Sequence, residues 1–217
     1  YTNRLRSDLL TENTLTYNGT WGDHEFGAMA GFTANKIWLR TAGIKGTAFP
    51  TDFIPTINAA TNIVIEENDG TRRTYTVHEE EMLLSVLARI NYSYAGRYLA
   101  SVSFRADGSS KFGPEKQWGF FPSVSLGWRM SEEEWMKDVA CINQLKLRGS
   151  WGVTGNNDIV NYAAYDKLLS ANYTFGTNNT LVPGLANISS TLGNRAISWE
   201  QTNEYNVGFD LSMFKTR

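Results

Sequence analysis

The 217-residue sequence has a single cysteine, Cys141, and only two histidines, His24 and His78, far apart along the chain. One thiol closes no intrachain disulfide and two distant imidazoles make a poor metal cluster, so neither a disulfide framework nor a metal centre is expected. A large excess of either charge sign is missing too. Lys plus Arg number 20 against 22 Asp plus Glu, a net charge of −2, which gives no bulk electrostatic drive toward a phosphate backbone; nucleic acid is not an expected partner. No apolar run approaches the ~18 residues of a membrane-spanning helix, and the first residues are not a basic-then-apolar leader. A helical membrane protein is thereby excluded, but a membrane β-barrel is not, because its lumen-facing residues dilute the average hydropathy.

Catalytic signatures are absent as well. The glycine-rich "GSWGVTGNN" lacks the Gly-Lys-Ser/Thr that places a lysine on a phosphate, and no amphipathic helix follows it. There is no Gly-x-Ser-x-Gly elbow, no His-Glu-x-x-His and no cysteine pair at zinc spacing. No catalytic residue, metal or cofactor is therefore expected, and the chain is not read as an enzyme. The sequons at Asn172 and Asn187 sit in Asn- and Thr-rich loops, where chance explains them.

What the sequence does have is period-2 alternation. Hydrophobic residues at 41% and charged residues at 19% are too rich in apolar surface for a disordered tail. Phe26, Ala28, Ala30 and Phe32 alternate with Gly27, Met29, Gly31 and Thr33. Met82, Leu84, Val86, Ala88, Ile90, Tyr92 and Tyr94 alternate with Leu83, Ser85, Leu87, Arg89, Asn91 and Ser93. After a tight turn at Ala95-Gly96-Arg97, Tyr98, Ala100, Val102, Phe104 and Ala106 oppose Ser101, Ser103, Arg105 and Asp107. Then Val124, Leu126 and Trp128 oppose Ser123, Ser125 and Arg129. "LKLRGSWGVTG" and "NEYNVGFDLSMF" repeat the scheme, and "LLTENTLTYNGTW" is a weaker strand turning at Gly22-Asp23-His24. About seven half-wet strands result.

The connections are unequal. Those at 22–24 and 95–97 are short, whereas 41–78, 108–119 and 156–198 are long and rich in Gly, Asn, Thr and Pro. Following strand order, the short turns fall at one end and the long loops at the other, as in transmembrane barrels. The connection after Met130 carries "SEEEWMKD", where Ser131 and Glu134 have capping-box spacing, so a short helix near 131–138 is expected with its acids at its N-terminus. Within the first long loop, "NIVIEENDGTRRTYTV" suggests a hairpin turning at Asn68-Asp69-Gly70.

Aromatics bear on the environment. Tyr92, Tyr94, Tyr98, Phe120, Trp128 and Tyr205 lie toward strand ends on the apolar stripes, which suits the girdles of a membrane barrel. The core of a soluble β-sandwich is the alternative. Arg89, Arg105, Arg129, Lys146, Arg148, Glu204 and Asp210 all fall opposite the apolar stripes. That is where a wet lumen lies, whereas on a lipid face each such cation would cost ~2–4 kcal/mol near the midplane.

Three segments carry a resemblance. "SVLARINYSYAGRYLASVSFRADGSSKFGPEKQWGFFPSVSLGWRMSEEEWM", "INQLKLRGSWGVTGNNDI" and "ISWEQTNEYNVGFDL" resemble consecutive signature segments of the SusC/RagA family of TonB-linked outer-membrane transporters, and "LLTENTLTYNGTWGDHEFGAMAGFTA" resembles the barrel segment before them. The resemblance implies an all-β fold, an antiparallel up-and-down transmembrane β-barrel of roughly 22 strands with a plugged lumen. This chain, 1–217, would supply part of that single barrel domain, about seven strands with the short helix on the periplasmic side. It also implies an outer-membrane location with the long loops outside the cell and import of bulky nutrients, oligosaccharides or peptides. The implied partners are a SusD-like surface lipoprotein acting as lid, the TonB complex as energy source, and outer-membrane lipid.

The chain begins at Tyr1 rather than a start Met, so an internal segment is expected, with signal peptide, plug, TonB-contact segment and terminal strands outside it. Arg89, Arg105, Arg129 and Arg148 are expected to line the lumen. Trp118, Tyr162, Tyr165, Tyr173 and Phe175, in or beside the long loops, are candidates for substrate contact. Two competing readings are a soluble or surface-anchored β-domain that binds glycans without transport, and a passive porin.

Overall fold

A computed structural model describes residues 1–51, 53, 56–65, 73–137, 139, 141–166, 168–175, 180–187 and 192–214, with the backbone alone described in 168–175 and 180–187. The long strands are β1 (Thr2–Trp21), β2 (His24–Gly43), β5 (Tyr75–Tyr94), β6 (Tyr98–Ser109), β7 (Trp118–Arg129), β8 (Ile142–Asn156) and β11 (Glu200–Met213). They form one antiparallel sheet in the order β1-β2-β5-β6-β7-β8-β11. Each strand lies beside its neighbour along the chain apart from small hairpins set into two of the long connections, which is up-and-down topology. These are the seven expected strands. The weak first one begins earlier than its alternation suggested, at Thr2. The edges β1 and β11 are not paired to each other, so the sheet does not close within these residues.

The chain divides into two compact units. The first comprises Tyr1–Leu10 and Asn35–Met82 and contains the first long connection. There β3 (Lys45–Thr47) pairs antiparallel with β4 (Asn62–Val64), and a 3₁₀ turn spans Ile57–Ala59. A β-carbon on Gly46 would stand 2.6 Å from Ala60 Cβ and 2.8 Å from Ile57 Cδ1, so only glycine lets the turn close on the hairpin. The turn expected at Asn68-Asp69-Gly70 lies outside the described residues. At its base, Arg73 N–H donates to Ile65 O (2.9 Å) and Thr74 Oγ1 donates to Val64 O (2.9 Å).

The second unit comprises Thr11–Ala34 and Leu83–Arg217. Its register aligns the alternation of β5, β6, β7, β8 and β11. On one face Ile90, Val102, Val124, Trp151 and Tyr205 form a continuous cross-strand row. On the other, Asn91, Ser101, Ser125, Ser150 and Asn206 do the same. Because side chains alternate with period 2, one such pairing fixes the face of all the rest. The hairpin between β5 and β6 turns on Ala95 (φ 50°) and Gly96 (φ 64°), closed by Arg97 N–H to Tyr94 O at 2.9 Å. Positive φ at both central residues is the type I′ geometry that matches strand twist.

The expected helix near 131–138 is two single 3₁₀ turns, Met130–Glu132 and Glu134–Met136, and neither is capped by a side chain. The physical reason lies in Glu133. Its carboxylate, instead of serving a helix N-terminus, accepts Tyr98 O–H (2.6 Å), Trp128 Nε1–H (3.0 Å) and Arg97 Nη1–H (3.0 Å). Glu133 is only 8% exposed, so three donors hold it better than one cap would. The expected loop at 156–198 also contains a hairpin absent from the sequence reading, β9 (Leu168–Phe175) with β10 (Thr180–Asn187).

Candidate functional site

The short connections gather at one end of the second unit. Ala95 N–H donates to Asp23 O (2.7 Å) and Arg129 N–H to Arg97 O (2.8 Å), tying the turns together. The apolar face carries a row of rings there: His24 and Tyr94 are 4.8 Å apart, Tyr94 and Tyr98 6.3 Å, Tyr98 and Trp128 6.4 Å. Toward the other end of the same face, Phe104 and Phe120 stack at 6.1 Å and the Trp118 indole lies across Gly108. Tyr98 and Gly108 are ten positions apart on β6. At ~3.3 Å per residue and a tilt of ~40°, that puts the two aromatic levels ~25 Å apart, the height of a barrel's apolar band.

Donation from Tyr98 and Trp128, aided by the nearby Arg97 charge, holds the Glu133 carboxyl below its usual range. A carboxylate whose folded pKa is depressed stabilises the fold above its ordinary value and loses that contribution as pH falls through the folded value. The tether at residues 133–137 is therefore expected to be intact above pH 4.5, the ordinary value for Glu, and to open below it. Hydrogen exchange of those amides, corrected for intrinsic pH dependence, checks this, and Glu133→Gln should remove the pH step.

The opposite face is polar and partly walled over. A concavity of about 830 Å³ near the short-turn end is bounded by Asn18, Asn91, Ser101, Ser125, Arg148 and Asn206. Farther along, Arg105 donates through Nε to both Asp107 oxygens (2.7 Å each) and through Nη2 to Ser85 Oγ (3.2 Å). Above this network the loops at 110–117, 157–166 and 192–199 are bound to one another. Phe112, wholly buried, packs 5.2 Å from the Trp199 ring, which meets Phe121 edge-on at 5.3 Å. Trp199 Nε1–H donates to Gln117 O (2.8 Å), and Asn194 N–H to Ala163 O (3.0 Å). A β-carbon on Gly119 or Gly155 would overlap the Phe121 ring, which explains the glycine ending "GSWGVTG".

The four arginines lie on the polar face. Arg89 is exposed opposite Ser103; Arg105 bonds Asp107 and Ser85; Arg129 donates to Gly96 O at 3.3 Å. Arg148 pairs with Asp210 at 3.6 Å and lies over Gly208, where a β-carbon would stand 3.1 Å from its Nε. Tyr162 and Tyr165 are exposed on the pinned loop, Tyr162 with φ 64°. Tyr173 and Phe175 are in β9 opposite Val182 and Thr180, and their side chains lie outside the description. Trp118 stands apart from these candidates, on the apolar face beside Phe120.

Sequence reasoning passed over Phe112, Phe121 and Trp199, and gave Glu133 to a helix N-terminus instead of to Arg97, Tyr98 and Trp128. Trp199 and Gln117 are 82 residues apart, and no local pattern marks such pairs.

A sheet with one lipid-suited face, two aromatic levels and a polar face under long loops is the wall of a transmembrane β-barrel. The model of the TonB dependent receptor-like β-barrel family matches residues 1–217. The chain is 38% identical over 211 residues to TonB-dependent receptor P39 of Formosa agariphila, covering 97% of the chain and 19% of that protein. To TonB-dependent receptor SusC of Bacteroides thetaiotaomicron it is 36% identical over 160 residues, 70% of the chain and 15% of SusC. The solved RagAB peptide transporter superposes with a TM-score of 0.80 at 24% identity, over 98% of this chain and 23% of that one. The chain belongs to the TonB-dependent receptor β-barrel family, in agreement with the SusC/RagA resemblance of its segments. It spans about a fifth of the length of these relatives.

Proposed function

We propose that this chain is part of the wall and loop roof of an outer-membrane receptor that imports a bulky nutrient, an oligosaccharide or a peptide, in a TonB-dependent manner. The observation that carries the reading is the two-faced sheet: a continuous apolar face with aromatic levels ~25 Å apart, backed by a polar face that the pinned loops partly cover. The residues 1–217 then belong to one barrel domain, with the long loops outside the cell and the short turns in the periplasm. The four arginines line the lumen. Tyr162 and Tyr165, held out by the Phe112–Trp199 cluster, are the substrate-contact candidates best supported by placement. Trp118 fits the lipid–water interface instead, since its indole shares the apolar face with Phe104 and Phe120. SusC is a TonB-dependent receptor and RagAB a peptide transporter by name, which supports import and leaves both substrate classes in play. A SusD-like lipoprotein as lid and the TonB complex as energy source complete the proposal.

Uptake of labelled oligosaccharides and peptides by cells carrying or lacking the gene at its natural length tests it. Uptake of one class is expected to disappear with the gene and again when TonB is disabled. Uptake that persists without TonB would establish the passive-porin reading. A protein that is a stable monomer without detergent and binds glycans would establish the soluble one.

A further inference from the structure

Gly149 has no structural reason to be glycine. It sits mid-strand in β8, and among the described glycines positive φ occurs at Gly22 and Gly96. A β-carbon built on it meets nothing within 4 Å. Glycine inside a strand weakens it, and where it persists it often marks a place that a ligand or another backbone approaches closely. The surroundings sharpen the point. On the apolar face, the row Ile90, Val102, Val124, Trp151, Tyr205 lies to one side and the row Tyr94, Tyr98, Trp128, Leu147, Phe209 to the other. The row between reads Tyr92, Ala100, Leu126, Gly149, Val207, with two small residues set between two rows of large ones. Ala100 and Gly149 floor a recess of about 460 Å³ walled by Tyr98, Trp128, Leu147 and Val207, within the ~300–1,000 Å³ of small-molecule sites.

We propose that this recess binds the acyl chain of a membrane phospholipid as a fixed structural ligand. This rests on the membrane reading above. The recess opens on the lipid-suited face, just above the ring row of the short-turn end. Of its polar wall groups, Tyr98 O–H and Trp128 Nε1–H are both donated to Glu133, and the Tyr92 hydroxyl is hydrogen-bonded to His24 Nδ1 at 2.7 Å, so recognition is by hydrocarbon shape. Arg148 also borders the recess, but its guanidinium is paired with Asp210 at 3.6 Å. The Glu133 tether fixes the two aromatic walls, so the recess is pre-formed and ordering it costs a bound chain little.

The test uses the protein at its natural length, recovered from the outer-membrane fraction, exchanged into phosphatidylethanolamine nanodiscs and released for native mass spectrometry. The wild type is expected to retain phospholipid. Gly149→Phe, which fills the recess from an open position, should retain it about tenfold less, the equivalent of ~1.4 kcal/mol or roughly two buried methylenes. Ala100→Leu should act in the same direction. Ala88→Phe, elsewhere on the apolar face, should change nothing. Equal retention by Gly149→Phe and wild type overturns the proposal, as does loss of a homodimer rather than of lipid in that variant. Absence of the wild type from the outer membrane would instead overturn the membrane reading, and this inference with it.

Discussion

Val102→Arg is expected to destabilise the protein in lipid vesicles by ~2–4 kcal/mol, the cost of a cation near the middle of a barrel's apolar band. Val102 stands between Ile90 and Val124 on the apolar face, four positions from the Tyr98 ring and six from the Trp118–Gly108 contact. The paired control is Ser125→Arg. Ser125 lies opposite Ser101 and Ser150 on the polar face, is exposed, and should tolerate the same charge within ~0.5 kcal/mol. Urea titration of the natural-length protein in vesicles measures both. Equal costs for the two substitutions would mean that the faces are not divided between lipid and water, and the barrel reading would be falsified.

Phe112→Ala is expected to cost ~3–5 kcal/mol in the loop cluster, the usual range for removing a buried phenyl. Phe112 has no exposed surface and packs on Trp199, which in turn packs on Phe121. With the Trp199 Nε1–H bond to Gln117 O, this ring contact ties the loop at 110–117 to the head of β11. The nearby Gly113, where a β-carbon would stand 2.9 Å from Arg195 O, shows how closely the backbones approach there. The loss should be local, since strand pairing below the loops does not depend on the ring. Membrane insertion should thus survive while limited proteolysis begins to cut at 157–166 and 192–199, and uptake should fall in parallel. Protected loops in the variant would show that the cluster does not hold them.

Alternation was legible because it is local. Arg105 among Val102, Phe104 and Ala106 declares its face whatever surrounds the strand, and all seven strands of the sheet were visible in this way. Glu133 was misread for the same reason. Three acids after Ser131 carry a helix-capping pattern, yet Arg97, Tyr98 and Trp128, donors from a different turn and two strands, outbid the cap. The β9–β10 hairpin was missed because its residues look like loop composition, and the register Thr180 to Phe175 that makes them strands arises only on pairing.

The sequence by itself determined the seven strands of the main sheet, the two-faced character of each, the order of short and long connections, and through its signature segments the family. Those follow from side-chain period and turn chemistry, which neighbours in the chain specify. Only the tertiary structure decided that Phe112, Phe121 and Trp199 meet, that Trp118 lies with Phe104 and Phe120 and not with the loop tyrosines, and that Ala100 and Gly149 fall in one row. Each of these depends on cross-strand register and loop closure, which bring together residues far apart in the chain and leave no mark in any local window.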